Sequence, residues 1–179
     1  RVLGGSSSIN GMNWVRGNRA DYDHWGDSGL SNWSYAHCLP YFKRSEHYEH
    51  GDPVYRGHNG PTKIVKTEIT NHLFQSFLKA SSEYGLELNP DHNGARQVGA
   101  HETQRNVSGG IRHSASQAYL FDQPEKANLE ILLETRCTQI EFSGRDAVRI
   151  HLNCRGEELH VEVGGELILS AGAIQSPQL

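Results

Sequence analysis

Cysteine is scarce in this sequence of 179 residues, and the three that occur fit no common pairing pattern. Cys38, Cys137 and Cys154 form no C-x-x-C pair and are odd in number, which argues against a disulfide framework and against a structural zinc site. Unpaired cysteines are typical of proteins in a reducing compartment. We therefore expect a cytoplasmic protein.

Two further absences exclude classes of function. No apolar run approaches the roughly 18 residues that a membrane-spanning helix needs, so the sequence predicts no transmembrane segment. The formal net charge is −4 with mixed signs, whereas a protein that binds nucleic acid needs a clustered basic face. Hydrophobic residues make up 36% of the chain, which is too many for a disordered protein and typical of a globular one.

Histidine is plentiful, with 11 in the chain, but its spacing does not indicate a metal site. His47, His50 and His58 gather in the stretch EHYEHGDPVYRGH. Their spacing matches no common ligand pattern, and the glycine and proline residues nearby indicate an exposed loop. We predict no metal site there.

Apolar periodicity predicts helices in the first part of the chain. A short helix is expected in RADYDHWG, closed by Gly26, and another in SYAHCLPYFKRSEHY, with Ser34 as N-cap and a start or kink at Pro40. A turn and a strand are expected in GHNGPTKIVKT, and a helix that stops at Gly85 is expected in NHLFQSFLKASSEYG. Residues 89–117 show little periodicity, which favours a functional loop region, and SASQAYLFD indicates a further short helix.

From Asn128 onward the pattern changes to one typical of strands. Five strands are expected, in LEILLET, TQIEFSG, AVRIHLNC, ELHVEV and GELILSAGA, with tight turns at SGRD and CRGEE. ELILSA is apolar almost throughout, which predicts a strand covered on both faces. Together with the helices this indicates an α/β fold. Because both ends of the chain fall inside an element, we expect it to be a piece of a longer protein.

The opening stretch, RVLGGSSSINGMNWVRG, combines glycine, serine and asparagine with apolar residues. Adjacent glycines let a backbone turn tightly and approach a ligand, and turn amides and hydroxyls can hold an anion. Asn10 can both donate and accept hydrogen bonds, and Met12 and Trp14 suit a flat ring. The stretch therefore favours a ligand with a phosphate and a large ring, although a glycine-rich packing loop explains it equally well. It is no P-loop, because no GK[ST] follows.

Four segments together resemble one known family. The first of them, RVLGGSSSINGMNWVRGNRADYD, resembles the first signature of the glucose-methanol-choline (GMC) oxidoreductases. Within that family, its sequence is most similar to the choline dehydrogenase-like alcohol dehydrogenases. GHNGP, QRNVSGGIRHSASQAYL and LILSAGAIQSPQL also resemble segments of this family, in the family's order. The resemblance covers essentially the whole chain.

The resemblance implies an α/β FAD-binding fold and an enzyme that oxidises alcohols, with hydride passing to N5 of the flavin. It implies that residues 1–45 and 127–179 belong to the FAD-binding domain, and residues 46–126 to a substrate-side region. Some relatives carry a histidine where Ile9 stands and attach the flavin through it, so we expect non-covalent FAD. The positions that contact FAD in relatives correspond here to Val2, Ser6, Asn10, Gly11, Met12, Asn13 and Cys137, the last through its backbone at the adenine.

The family's catalytic histidine is expected beyond Leu179 and its G-x-G-x-x-G motif before Arg1, so no residue of this chain is assigned as catalytic. The implied partner is a small-molecule alcohol. Two other functions remain open at this point. One is a hydroxynitrile lyase of the same fold, which also holds FAD, and the other is a non-catalytic globular module that is complete as it stands.

Overall fold

The computed structural model of the protein describes residues 2–68, 70–124 and 127–179. Arg1, the first residue of the opening motif, and Lys126, the last of the predicted substrate-side region, lie outside these residues. The chain divides into two compact units, residues 1–125 and 126–179, and each is described by itself. The assignment of residues 1–45 and 127–179 to one domain stays a prediction. Within the described ranges, no helix is long and apolar enough to cross a membrane.

The helices of the first unit lie in the segments predicted from periodicity, but the first runs through Gly26 to Asp27 and the second ends at Ser45, before the strand Glu46–Tyr48. They are α1 (Arg19–Asp27), α2 (Tyr35–Ser45) and α3 (His72–Glu83), with short 3-10 turns at Gly5–Ser8 and Ser31–Trp33 and a π-helical turn at Gln117–Phe121. Asn18 and Asn71 cap α1 and α3, because their side-chain oxygens accept from the backbone N–H two residues on, at 2.9 and 2.8 Å. α2 begins at Tyr35 and carries Pro40 in its interior, so the expected start at Pro40 is wrong.

Short strands hold the first unit together. β1 (Glu46–Tyr48) runs parallel to β2 (Thr62–Lys66), which pairs antiparallel with β3 (Gln104–Arg105). β4 (Val107–Ser108) and β5 (Ile111–Arg112) form a hairpin. The region predicted to be irregular therefore contains three strands of two residues each, and the strand expected in GHNGPTKIVKT is confirmed as β2.

A buried carboxylate lies at the centre of the first unit. Glu46 and Arg56 have no exposed surface, and Glu46 accepts from Arg56 Nε at 2.9 Å and Nη2 at 3.1 Å. It also accepts from Arg16 Nη2 at 2.7 Å, from Trp14 Nε1 at 2.7 Å and from the backbone N–H of Gly57 at 2.9 Å. Buried carboxylates are tolerated when they are paired and hydrogen-bonded in this way. The stretch expected to be an exposed loop thus contributes Arg56 and Gly57 to the interior.

A second carboxylate balances the charge of this cluster. Arg56 Nη1 donates to Asp91 Oδ1 at 2.5 Å and to Gln104 Oε1 at 2.8 Å, and Gln104 is itself 1% exposed. Two arginines thus face two carboxylates. Because Trp14 and Arg16 belong to the second half of the opening stretch, the cluster fixes that end of the stretch in the interior.

The second unit is an antiparallel meander. Its strands are β6 (Thr135–Ser143), β7 (Asp146–Cys154) and β8 (Glu157–Glu162), followed by the short helix α4 (Gln175–Gln178). The middle three expected strands and both tight turns are confirmed. The strands expected in LEILLET and GELILSAGA are wrong: apart from Thr135, none of their described residues is in a strand. A strand exists through a ladder of hydrogen bonds to a neighbour, and in the described part of this unit such pairing reaches LEILLET only at its end, where Arg155 N donates to Glu134 O at 3.4 Å and Thr135 pairs with Cys154.

Acidification should destabilise the protein through His92. The side chain is 2% exposed, its Nε2 donates to Trp14 O at 3.2 Å, and its ring stacks on His101 with centroids 4.0 Å apart. Burial and, next, the charge of His101 lower the pKa of His92 from 6.5. Because folding favours the neutral ring, its contribution is fully present above pH 6.5 and is lost as the pH falls through the lowered pKa.

Urea unfolding at a series of pH values, from about 8 to about 5, measures this effect. A His92→Gln variant, which does not titrate, should show a flatter dependence in this range. The pKa of Asp122 is also lowered, by its hydrogen bond with His113, but from 3.8, so its effect belongs to a more acidic range. An identical pH dependence in His92→Gln and the parent protein would contradict the assignment.

Candidate functional site

The two glycines of the opening loop (residues 2–13) have different surroundings. Gly4 and Gly5 have φ values of +88° and +55°, which favour glycine. A Cβ on Gly4 would collide with the hydroxyls of Ser8 and Ser116, whereas one on Gly5 would meet no described atom within 4 Å. Gly4 is therefore required for packing inside the loop, and Gly5 borders open space.

The three serines also divide into two groups. Ser7 Oγ donates to Gly4 O at 2.5 Å and accepts from the backbone N–H of Ala115 at 2.8 Å. Ser8 Oγ donates to Leu3 O at 2.8 Å. Ser6 is exposed, and its hydroxyl has no partner in the described part of the chain. Of the three hydroxyls, the one predicted to contact a cofactor is the one that remains available.

Asn10 has a fixed side-chain amide. Its Oδ1 accepts from the backbone N–H of Met12 at 2.9 Å and from Arg112 Nη1 at 3.1 Å. Met12 has a φ of +63°, which is rare for a residue other than glycine. The sequence predicted an amide that both donates and accepts. In the structure its oxygen is engaged by two donors, which leaves the Nδ2 group to donate.

The remaining predicted residues of the loop are exposed. Gly11 and Asn13 lie on its surface, and Asn13 forms a bridge with Arg105. Val2 is 52% exposed and Ile9 is 77% exposed. Exposed apolar side chains beside free polar groups suit a ligand that has both a polar and an apolar part.

The loop is attached to the hairpin of β4 and β5 and to the turn that follows it. Arg112 Nη1 donates to Ser7 O at 3.1 Å, and Ser116 Oγ donates to Leu3 O at 3.5 Å. Sequence reasoning singled out the segment QRNVSGGIRHSASQAYL but not Arg112 within it. One feature of the sequence could have indicated Arg112: it is an arginine in a stretch of 19 residues, 103–121, that contains no Asp or Glu.

The end of the loop is fixed on β3 and on Asn93. Met12 O accepts from the backbone N–H of Asn106 at 3.1 Å, and Trp14 N donates to Gln104 O at 2.8 Å. Asn93 Nδ2 donates to Trp14 O at 2.8 Å. The loop is therefore held at several points along its length.

Two histidines, His113 and His58, hold the chain in place through their ring nitrogens. His113 is 2% exposed, its Nδ1 accepts from Lys63 N at 3.1 Å and its Nε2 donates to Asp122 Oδ2 at 2.7 Å. Both nitrogens are occupied, so His113 positions the chain. His58 Nδ1 donates to Tyr48 O at 2.6 Å. Within residues 2–68, 70–124 and 127–179, no group of three or more His, Cys, Asp or Glu residues could hold a metal ion.

Cys137 lies in the second unit, on β6. It is half-buried, and its Sγ is 3.7 Å from Gln139 O. A backbone contact from this position to an adenine stays a prediction.

Comparison with known proteins covers the whole chain. A sequence profile described as "GMC oxidoreductase" matches residues 1–179. The chain is 46% identical over its full length to an oxygen-dependent choline dehydrogenase of Staphylococcus xylosus, and 44% identical to one of Staphylococcus saprophyticus. It spans 32% of the length of each of these two curated relatives.

Solved structures show the same similarity. Pyridoxine 4-oxidase from Mesorbium loti matches 96% of the chain with a TM-score of 0.90 and 27% identity, over 34% of its own length. An FAD-dependent oxidoreductase from Chaetomium thermophilum matches 99% of the chain with a TM-score of 0.92 and 25% identity, over 33% of its own length.

Proposed function

Because the chain belongs to the GMC oxidoreductase family, we propose that it is part of an FAD-dependent oxidoreductase that acts on the CH–OH group of alcohols. The opening loop is the part of the FAD site that this chain supplies. The observation that carries the proposal is the pair of donors on the loop, the Ser6 hydroxyl and the Asn10 Nδ2 group, which have no partner in the described part of the chain and lie close in sequence to Gly5, whose built Cβ would meet no described atom within 4 Å.

The residues of the loop fit such a cofactor. FAD combines a pyrophosphate, which needs donors, with a flat ring, which needs apolar contact. The Ser6 hydroxyl and the Asn10 Nδ2 group are donors without a described partner, and Val2 and Ile9 present apolar surface. Val2, Ser6, Asn10, Gly11, Met12 and Asn13 would hold FAD, and a backbone contact of Cys137 with FAD is proposed from the family resemblance alone.

FAD, when bound, supplies N5 as the acceptor of a hydride from the carbinol carbon. The chain's own residues bind and orient it: Asn10 donates from an amide of fixed direction, and the 3-10 turn at Gly5–Ser8 places Ser6 on the surface. Ile9 is an aliphatic side chain without a nucleophilic atom, which supports a non-covalent cofactor. A cytoplasmic location remains part of the proposal, on the evidence of the free cysteines.

The test uses the full-length protein that contains this chain. The purified protein should be yellow, and acid precipitation should release FAD into the supernatant, as expected for a non-covalent cofactor. Since the relatives are named oxygen-dependent choline dehydrogenase, choline is the first alcohol to assay, with oxygen uptake and an artificial dye as two separate measures of electron transfer.

Three results would contradict the proposal at different points. A protein without flavin would contradict the FAD site, and flavin that stays in the acid precipitate would contradict non-covalent binding. Cleavage of a cyanohydrin without reduction of any dye would indicate the lyase instead. Alcohol-dependent bleaching of the flavin absorbance without oxygen is the expected result.

A further inference from the structure

The guanidinium of Arg112 lies against the opening loop. Its Nη1 donates to the backbone oxygen of Ser7 and to Asn10 Oδ1, both at 3.1 Å. Arg112 is half-buried on β5, next to a hairpin turn. The two bonds therefore connect the middle of the loop to a hairpin about a hundred residues later in the sequence.

The charge of Arg112 is not balanced locally. No carboxylate pairs with it among the described residues, and neither residues 2–18 nor residues 103–121 contain an Asp or Glu. The two acids that flank the second stretch are engaged elsewhere: Glu102 pairs with Lys66 at 2.6 Å, and Asp122 with His113 at 2.7 Å. Since the described partners of Arg112 are neutral oxygens, the loop region carries a net positive charge that favours a negatively charged ligand.

Arg112 also decides which way the Asn10 amide faces. Two donors, the Met12 N–H and Arg112 Nη1, meet the same side-chain atom, so that atom is the oxygen. The Asn10 Nδ2 group must then face away from them. The Nε and Nη2 groups of Arg112 have no partner in the described part of the chain either. The surface at this point thus presents three donor groups, Asn10 Nδ2 and the Nε and Nη2 groups of Arg112.

We propose that Arg112 is a positioning residue of the FAD site, which fixes the Asn10 amide with its nitrogen towards the cofactor and adds a positive charge beside it. The proposal rests on the proposed function. The ligand atoms that this donor surface recognises are acceptors with negative charge. FAD carries them in the pyrophosphate and at the N1–C2 carbonyl edge of the flavin ring, and the experiment distinguishes the two.

The test compares Arg112→Met with Arg112→Lys in the full-length protein. Apoprotein of each variant is titrated with FAD, and the midpoint potential of the bound flavin is measured against reference dyes. Loss of a charge-assisted contact should weaken FAD binding by about tenfold to a hundredfold in Arg112→Met, and Arg112→Lys should recover part of it. A weaker affinity alone places the contact at the pyrophosphate, and a lower midpoint potential as well places it at the ring.

Arg19→Met is the matched control. It removes the same charge in the same unit, from an exposed side chain whose described partner is Asp23 at 3.3 Å, and it should bind FAD as the parent protein does. If Arg112→Met does not fold, Asn10→Asp decides, because it keeps the acceptor for Met12 and Arg112, removes the Nδ2 donor and places a negative charge beside Arg112. It should weaken FAD binding to a similar extent.

Parent-like affinity and potential in Arg112→Met, or parent-like affinity in Asn10→Asp, would overturn the inference. The proposed function would survive this result, since the parent protein would still bind FAD and oxidise an alcohol. The two failures are therefore distinguishable in one set of titrations.

Discussion

The Gly5→Val variant of the full-length protein should be purified without bound FAD, as a colourless protein. Gly5 has a φ of +55°, and a non-glycine residue in that left-handed region costs roughly 1–2 kcal/mol, more for a β-branched one. The larger effect on FAD binding is steric. The valine side chain would occupy the region in which no described atom lies within 4 Å and in which we propose that the cofactor passes. The measurement is the ratio of flavin to protein absorbance after desalting.

Two comparison variants separate the effect of filling the open space at Gly5 from the effect of backbone strain. Gly144→Val, in the turn between β6 and β7, introduces the same residue at a φ of +65° with equally open surroundings, and it should retain flavin. Ser8→Ala should also retain most of it, because this hydroxyl bonds Leu3 O inside the loop and one such bond contributes only about 0.5–1.5 kcal/mol. Full flavin occupancy in Gly5→Val would show that the loop serves packing alone.

The helices were predictable because their signals are local. Asn18 and Asn71 cap α1 and α3 at the positions where apolar periodicity begins, and the positive φ of Gly85 marks the end of the α3 region. The strands expected in LEILLET and GELILSAGA were wrong for the opposite reason. Apolar composition indicates that a segment can be a strand, but a neighbour must be present to pair with it, and the neighbour is not encoded in the segment itself.

The opening loop was predictable in composition and not in detail. Its sequence indicated a backbone that turns tightly and offers hydroxyls. Gly4 packs against other residues and Gly5 borders open space. This difference depends in part on Ser116, which is more than a hundred residues away in the sequence. The same holds for Asn10, whose amide direction is decided by Arg112. Contacts of this kind carry no signal in a single sequence, because nothing in the spacing of the residues requires them to meet.

The buried cluster around Glu46 was not predicted. Its charged members, Arg16, Glu46, Arg56 and Asp91, are scattered over some 75 residues without a periodic pattern. Charged residues are mostly exposed, so sequence reasoning assigns them to the surface by default. Only the fold shows that Glu46 and Arg56 have no exposed surface, and only then is the strong stability effect of Glu46 expected.

Replacing Glu46 by glutamine should destabilise the protein by about 3–5 kcal/mol, the range expected when one partner of a buried ion pair is removed. All described partners of this side chain are donors: two arginines, the Trp14 indole and the Gly57 backbone N–H. A glutamine keeps the shape but turns its NH2 group towards at least one of these donors, and it leaves two guanidinium groups with one carboxylate, Asp91. Urea unfolding of the parent protein and the variant measures the difference.

Two further variants test whether the loss of charge balance causes this destabilisation. Glu83→Gln makes the same chemical change on the exposed side of α3, where Glu83 pairs with Lys79 at 3.8 Å, and it should change the free energy of unfolding by about 0.5 kcal/mol or less. The double variant Arg16→Met/Glu46→Gln removes one charge of each sign and leaves Arg56 paired with Asp91. It should therefore be more stable than the sum of the two single effects predicts. A Glu46→Gln variant as stable as the parent protein, or a double variant whose effects simply add, would show that the buried charges do not act as one cluster.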